Sequence, residues 1–154
     1  AVLSSLNQGA SQVLAQICQD ATFGNHPANR LLVQKLAALA ARQGGAQDVA
    51  RVENCLAAIE SEQPLVAAAI VRGLATRTSK KRGKAANELS PNVLRLLEKI
   101  LASSRSVAAD DSKAMEDRVD AIRTLALGNF AEQQEVLSSL FDNRFPQPIQ
   151  LAAV

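Results

Sequence analysis

The sequence predicts an all-α protein built from several short helices that pack in pairs, and three observations lead to this fold class. Hydrophobic residues make up 47% of the 154 residues, and most of them are Ala and Leu, which are strong helix formers. Aromatic residues, which favour strands, account for only 3%, with no Trp and no Tyr. Apolar residues also recur at intervals of three and four, which is typical of helices with one buried face.

Four helices are expected in the N-terminal half. Ser11 is placed to cap the first, and the break at Gly24-Asn25-His26-Pro27 separates it from the second. The fourth is apolar on nearly all sides, so we expect other helices to cover it. The expected helices begin near Ser11, run over Ala28 to Arg42 and over Gln47 to Glu60, and begin again at Pro64.

Ser90-Pro91 opens the C-terminal half with a helix that is expected to fray near Ser103-Ser104. Asp110-Asp111-Ser112 is expected to cap the next helix, and Gly128-Asn129 to end it in the left-handed conformation. Pro146 and Pro148 preset the first turn of a last, apolar helix. The apolar stripes expected to face inward are Met115, Val119, Ile122 and Ala126, then Val136, Leu137, Leu140 and Phe141, whereas Asp117, Arg118, Asp120 and Arg123 are expected in solvent.

An internal similarity favours a repeat. Cys55 to Ile59 followed by Pro64 to Ile70 matches Val136 to Leu140 followed by Pro148 to Val154, each a helix, a proline turn and a second helix. We therefore predict a single helical-repeat domain over residues 1–154, part of a longer chain. Its halves, 1–76 and 90–154, are joined by a basic loop at 77–89. About seven or eight helices would stack as right-handed antiparallel pairs.

The C-terminal residues carry a resemblance to a known repeat. Leu137, Leu140 and Asp142, followed by Pro148 to Val154, resemble the centre of a HEAT repeat, with Gln150 where such repeats commonly have Arg. The resemblance implies an α-α superhelix of the HEAT or armadillo type.

A narrower resemblance covers the chain best from about Ser90 to Val154. Asp117 to Leu125, Phe130, Leu137 to Asp142 and Gln150 to Val154 are similar to the helical middle region of large planctomycete and verrucomicrobial proteins of the membrane-bound dehydrogenase type. In those proteins a β-propeller precedes the helices and a c-type haem domain follows them. The resemblance implies an exported or periplasmic protein in which this segment is a spacer or docking surface.

No catalytic, cofactor-binding or metal site is predicted within the segment. His26 is interpreted as a surface turn residue rather than a general base. Asp110-Asp111 and Glu116-Asp117 are interpreted as acids that complement helix dipoles. Gly44-Gly45 lacks the pattern of a phosphate loop, and the Cys-x-x-Cys-His of c-type haem attachment does not occur. Cys18 and Cys55 are interpreted as buried structural thiols, with a disulfide left open.

The basic run in the loop is the strongest sign of a binding function. It comprises Arg77, Lys80, Lys81, Arg82 and Lys84, a weak candidate for contact with an anion or an acidic partner, although solvated linker is the preferred interpretation. The net charge of +2 and the shortage of aromatics for base stacking make nucleic acid an unfavoured partner.

We expect a non-catalytic scaffold that contacts proteins or neighbouring domains of the same chain. The alternative is a nucleic-acid-binding HEAT-like domain that uses the basic loop, and a bilin-attaching lyase of the HEAT type is a third idea that no residue supports. No apolar run reaches the ~20 residues of a membrane span. A fragment would lack a signal peptide in any case, so the compartment stays open.

Overall fold

The computed structural model describes residues 9–76 and 90–154, and in these ranges it is helical, without strands. Eight α-helices lie there: α1 (Ala10–Ile17), α2 (Pro27–Gln43), α3 (Ala46–Ile59), α4 (Pro64–Ala75), α5 (Pro91–Ala109), α6 (Met115–Leu125), α7 (Phe130–Ser139) and α8 (Gln147–Ala153), with a 3₁₀ turn at Phe23–Asn25. This confirms the all-α prediction. Contacts divide the chain into two compact units, residues 1–96 and 97–154, and the division falls inside α5.

Helix starts follow the residues that local physics favours. Pro27, Pro64 and Pro91 each occupy the first position of a helix, where the missing amide hydrogen has no partner to lose. Asn129 Oδ1 accepts a 3.1 Å hydrogen bond from the Ala131 amide at the start of α7. The Ser90 hydroxyl accepts one of 3.3 Å from the Val93 amide at the start of α5. Ser90-Pro91 is therefore the predicted cap and first turn.

In the first unit, α4 is buried along most of its length, as its uniform hydrophobicity predicted. Every residue from Val66 to Leu74 is buried. α4 packs against α2, and the two helices approach closely at Gly73. A Cβ atom built on Gly73 would lie 2.4 Å from the Gln34 carbonyl oxygen and 2.7 Å from the Ala37 Cβ. The absence of a side chain at this position therefore lets the two helix backbones meet.

Helices α1 and α3 lie side by side and run in the same direction. Near their N-terminal ends the Ser11 hydroxyl donates a 2.6 Å hydrogen bond to Asp48. Cys18, at the C-terminal end of α1, and Cys55 of α3 each lie seven residues further along their helix. Both pairs are therefore 37 positions apart. The parallel packing that joins Ser11 to Asp48 thus also makes Cys18 and Cys55 neighbours.

The second unit has its own apolar core around Ile122. Its fully enclosed members are Leu101, Ala108, Ala121, Ile122, Leu125, Leu140 and Ile149. Side chains from α5, α6 and α8, and from the residue that follows α7, thus share one cluster, and Leu97, Val136 and Phe145 pack around it.

Several sequence expectations are corrected here. α5 does not fray at Ser103-Ser104 but continues to Ala109, because Ser104 is buried between the core residues Leu101 and Ala108. α1 begins at Ala10, so Ser11 lies inside the helix rather than at its cap. Asp110 caps a turn by accepting from the amide and hydroxyl of Ser112, and α6 begins later, at Met115.

The expected inward stripe of α6 is correct at Ile122 and Val119, which pack in or on the core, and wrong at its two ends. Met115 is 42% exposed and Ala126 is exposed, whereas Arg118 is only 6% exposed. Gly128-Asn129 does not end α6 by a left-handed conformation, since the one positive φ among the described residues belongs to Gly9. Gly128 is instead needed for space, because a Cβ there would lie 3.0 Å from Leu101. Phe141, expected in the core, is 48% exposed.

None of the helices in the two described ranges combines the length and the hydropathy that crossing a membrane requires.

Candidate functional site

The basic run predicted to contact an anion or an acidic partner lies outside the residues that the structure describes. Arg77, Lys80, Lys81, Arg82 and Lys84 all fall in residues 77–89. Their role therefore stays a prediction. The segment's charge is still informative, because residues 77–89 hold five of the chain's 17 basic residues and one of its 15 acidic residues. The rest of the chain accordingly carries more acidic than basic residues.

His26 serves as the N-cap of α2. Its Nδ1 accepts a 3.1 Å hydrogen bond from the Ala28 amide, and the side chain is exposed. This position agrees with the interpretation of a surface turn residue. The lone pair of a ring nitrogen that accepts a backbone hydrogen bond is already engaged. Nδ1 of His26 is therefore not free to accept a hydrogen from a substrate in this arrangement.

The paired carboxylates have separate structural partners. Glu116 and Asp117 lie in the first turn of α6, as predicted for acids that complement the helix dipole. Asp111 forms a 2.7 Å ion pair with Arg118. Asp110 is held by Ser112, whose hydroxyl and amide donate to it and keep the pKa of this carboxyl below its usual value. The acids of this segment thus organise backbone turns and a buried cation.

Gly44-Gly45 connects α2 to α3 and binds a carboxylate of the chain itself. The Gly45 amide donates a 3.1 Å hydrogen bond to Asp48, which is the usual arrangement at the start of a helix. A Cβ on Gly44 would lie 2.4 Å from the Ala40 carbonyl oxygen. Gly44 therefore allows the chain to pass close to the end of α2, whereas a Cβ on Gly45 would meet no atom within 4 Å.

Five hydroxyl, thiol and charged side chains of the described residues lie together between α1 and α3. We call this group the thiol cluster; it comprises Ser11, Cys18, Asp48, Arg51 and Cys55. The Arg51 guanidinium donates a 2.8 Å hydrogen bond to the Ser11 hydroxyl and pairs with Asp48 at 3.5 Å. The Ser11 hydroxyl donates in turn to Asp48. This network holds Arg51 one helical turn before Cys55 on the same face of α3.

The two thiols of this cluster differ in exposure and in acidity. Cys18 is 8% exposed, whereas Cys55 is partly accessible, and both are free thiols. The hydrogen bond from Cys18, assisted by the positive charge of Arg51, lowers the pKa of Cys55 to about 7. The same hydrogen bond and burial raise the pKa of Cys18. Cys55 is therefore the more acidic thiol of the pair as well as the more exposed one.

The predicted burial of both thiols is confirmed for Cys18 and wrong for Cys55, which is partly exposed. Their contact was missed because 37 residues separate them. A signal was present: Ser11 and Cys18 are seven residues apart, as are Asp48 and Cys55. Two helices packed in parallel at a single register bring both pairs together, although spacing alone does not fix that packing.

A second polar group, in the second unit, was also missed. Arg118 lies under Phe145, with 5.3 Å between the guanidinium carbon and the ring centroid. It donates a 3.1 Å hydrogen bond from Nε to the Ala108 carbonyl. Its buried Nη2 has no hydrogen-bond partner within the described residues, and neither has Nε2 of the fully buried Gln133. The other polar atoms of Arg118 and Gln133 join separate segments of the second unit, since Arg118 binds Asp111 and the Ala108 carbonyl and Gln133 accepts from Arg105. We therefore assign this group a structural role.

In residues 9–76 and 90–154, no three His, Cys, Asp or Glu side chains come together in a way that could hold a metal ion. The thiol cluster offers two sulfur ligands and one carboxylate on a different turn of α3. It is therefore better suited to thiol chemistry than to a four-ligand zinc site.

In comparisons with known proteins, no family model, no curated sequence and no solved structure matches this chain. The resemblances to HEAT repeats and to the membrane-bound dehydrogenase type therefore stay expectations from the sequence.

Proposed function

We propose that this chain is a non-catalytic, HEAT-like helical module whose C-terminal helices bind an amphipathic helix of another protein or of a neighbouring domain. The observation that carries the proposal is the apolar surface of α8. Ile149 is fully buried, and Ala152 and Ala153 pack on the core, yet Leu151 on the opposite side is 67% exposed. A helix that is apolar on both sides is normally covered on both sides.

Two of the chain's four phenylalanines support the same proposal. Phe130 is 68% exposed at the start of α7, and Phe141 is 48% exposed just after it. Large aromatic side chains are enriched where proteins bind each other. A partner helix with apolar residues at intervals of three and four would offer these side chains the same kind of contact that the module's own helices share.

The repeat character of the proposal is supported by the packing of α1 on α3. Equivalent helices of successive repeats in a solenoid run in the same direction and are separated by one repeat length. The constant 37-residue offset between α1 and α3 is close to the ~40 to 47 residues of HEAT and armadillo units. The α2–α4 contact, with Gly73 against Gln34 and Ala37, joins residues at a similar separation.

Site-specific photo-cross-linking in the producing organism tests the proposal. A photoreactive residue at position 151 should give one discrete cross-linked protein, and Leu151→Ser should lower that protein's affinity at least tenfold in a purified binding assay, as expected for an apolar anchor. Leu31, which is 50% exposed on α2, provides matched controls, namely a cross-linker at position 31 and Leu31→Ser. Equal cross-linking from positions 31 and 151 would contradict the proposal. A cross-linked product that contains only a second copy of this chain would show that this surface mediates self-association and does not bind a helix of another protein.

The concentration of basic residues in 77–89 supports a second candidate function, the binding of nucleic acid through this segment. Phosphate contacts from Lys and Arg weaken steeply with salt. If this candidate is right, labelled duplex DNA binds at low salt, and replacing Lys80, Lys81 and Arg82 with Gln abolishes the binding. Absence of binding at low salt would eliminate this candidate and leave the helix-binding proposal intact.

A further inference from the structure

Cys18 and Cys55 have the features of a two-cysteine pair in which one thiol attacks and the other resolves. Cys55 is partly accessible from solvent on α3, whereas Cys18 is buried at the C-terminal end of α1. The Ser11–Asp48 hydrogen bond sets the register of the two packed helices, and seven residues further along each helix this register places Cys18 beside Cys55. Proximity of this kind is the first condition for forming a disulfide.

The surroundings of Cys55 favour the thiolate, which is the reactive form of cysteine. The hydrogen bond donated by Cys18 is the largest influence, and the cation of Arg51 acts in the same direction, so that the pKa of Cys55 lies at about 7. Arg51 is held in place by the Ser11 hydroxyl at 2.8 Å and by Asp48 at 3.5 Å. These contacts fix the position of the cation one helical turn before Cys55.

We propose that Cys55 and Cys18 form a thiol–disulfide exchange site that takes a low-molecular-weight disulfide and becomes an internal cross-link between α1 and α3. This inference stands apart from the proposed binding of a helix, because it concerns the first unit and requires no partner protein.

The reaction takes place in two balanced steps. The Cys55 thiolate attacks one sulfur of the small disulfide, forms a mixed disulfide and releases one thiolate, which takes up a proton from water. Cys18 then loses its proton to solvent and attacks the Cys55 sulfur, forming the Cys18–Cys55 disulfide and releasing the second thiol. Overall, two protein thiols are oxidised and the small disulfide is reduced to two thiols.

Oxidised glutathione is the probe for the test, and intact-mass spectrometry of the full chain is the readout. The wild-type chain should lose two hydrogen masses and retain no glutathione. Cys18→Ser should instead accumulate one glutathione on Cys55, because no resolving thiol is left. Cys55→Ser should stay unmodified at the same glutathione concentration, since the remaining Cys18 is buried and protonated. Stable glutathione on the wild-type chain, or two unreactive thiols, would overturn the proposal.

A second measurement tests the hydrogen bond from Cys18 to Cys55 separately from the role of Cys18 as the resolving thiol. Cys18→Ser keeps a hydroxyl that can donate to Cys55, whereas Cys18→Ala removes the donor. Alkylation of Cys55 by iodoacetamide should have a pH midpoint of about 7 in the wild type, a similar midpoint in Cys18→Ser, and a higher one in Cys18→Ala. Near neutral pH the rate in Cys18→Ala should fall about tenfold. Equal midpoints in the two variants would contradict the assigned donor, and Cys18→Ser alone tests the resolving step if Cys18→Ala does not fold.

Discussion

Arg118 stabilises the second unit through three different contacts. Its Nη1 pairs with Asp111 at 2.7 Å, its Nε donates to the Ala108 carbonyl, and its guanidinium lies against the ring of Phe145. A buried cation is tolerated only when such contacts offset the loss of hydration. Asp111 is itself largely exposed, so the ion pair bridges the core and the solvent.

Replacing Arg118 with Ala should therefore destabilise the protein. We expect the free energy of unfolding to fall by about 2 to 4 kcal/mol, since the Ala108 carbonyl loses its donor and Phe145 loses a packed neighbour. Chemical denaturation measures the change. Arg123→Ala is the matched control on the same helix, because the Arg123 side chain is 65% exposed and its pairing with Asp120 is long, at 3.9 Å; its effect should be below about 1 kcal/mol. Equal losses in the two variants would contradict the assigned role.

Asp48 should make the first unit sensitive to acid. Hydrogen bonds from Ser11 and from the Gly45 amide hold the pKa of Asp48 below its usual 3.8 in the folded chain. A lowered folded-state pKa contributes stability that is present above the unfolded pKa and is lost as the pH falls through the folded value.

The test compares thermal unfolding of the wild type with Asp48→Asn. The wild type should have the higher Tm near neutral pH, and the difference in Tm should shrink as the pH falls from about 4 through the lowered pKa of Asp48. Asp20→Asn gives a comparison within the same unit, because Asp20 is held by its sequence neighbours Thr22 and Phe23 and does not join two helices. A difference for Asp48→Asn that does not change with pH would show that its hydrogen bonds do not favour the charged carboxylate.

Single residues also show where sequence reasoning fails. Arg118 was assigned to solvent because a charged residue normally lies off the apolar stripe. Its burial depends on Asp111, Ala108 and Phe145, which come from three different segments of the chain. The contact of Cys18 with Cys55 likewise depends on the packing of α1 on α3. Sequence periodicity describes one helix at a time and does not contain these tertiary contacts.

At the scale of elements, the close packing of α2 on α4 depends on Gly73. A methyl group at this position would meet the carbonyl oxygen of Gln34 at 2.4 Å and the amide nitrogen of Ala38 at 3.0 Å. Both are backbone atoms, which cannot turn aside as a flexible side chain can. The helices would have to separate along a fully buried face.

Gly73→Ala should therefore lower the free energy of unfolding by about 1 to 3 kcal/mol, although alanine is the better helix former by about 1 kcal/mol. Chemical denaturation tests the sign, because propensity alone predicts a gain in stability. Ala57→Leu on the exposed side of α3 adds bulk without a neighbour and should change stability by less than about 0.5 kcal/mol. A stabilised Gly73→Ala protein would show that α2 and α4 are not in such close contact.

Element boundaries were predictable where the local chemistry decides them. The proline starts of α2, α4 and α5 and the break at Gly44-Gly45 agree with the structure. The end of α5 was not predicted, because it depends on packing. Ser104 is a weak helix former, yet it stays helical where neighbouring residues of α5 are buried in the core.

On the scale of the whole molecule, each unit has a core of its own. In the first unit the fully buried side chains include Leu14, Leu36, Leu56 and Ile70. In the second they surround Ile122. Because the two sets of side chains form separate cores, we expect damage to one to leave the other folded.

Ile122→Asp should unfold the second unit, since an unpaired charge in an apolar core is very unfavourable. Hydrogen exchange followed by mass spectrometry should show lost protection in α6, α7 and α8 and in the part of α5 after Leu96. Protection in α1 to α4 should persist. Val119→Asp, at a half-buried position on the same helix, should cause a smaller loss. Uniform loss of protection along the chain would show that the two units fold as one.

The matched register of α1 and α3 has a consequence for how the chain tolerates a change in its length. One residue inserted after Arg51 would leave Asp48 and Arg51 in place on Ser11, but it would turn every later side chain of α3 by about 100° around the helix axis. Cys55 would then point away from Cys18 even if the helix stayed intact. Whether the two sulfurs can meet thus depends on the rotational position of Cys55 around the axis of α3 as well as on the presence of both cysteines.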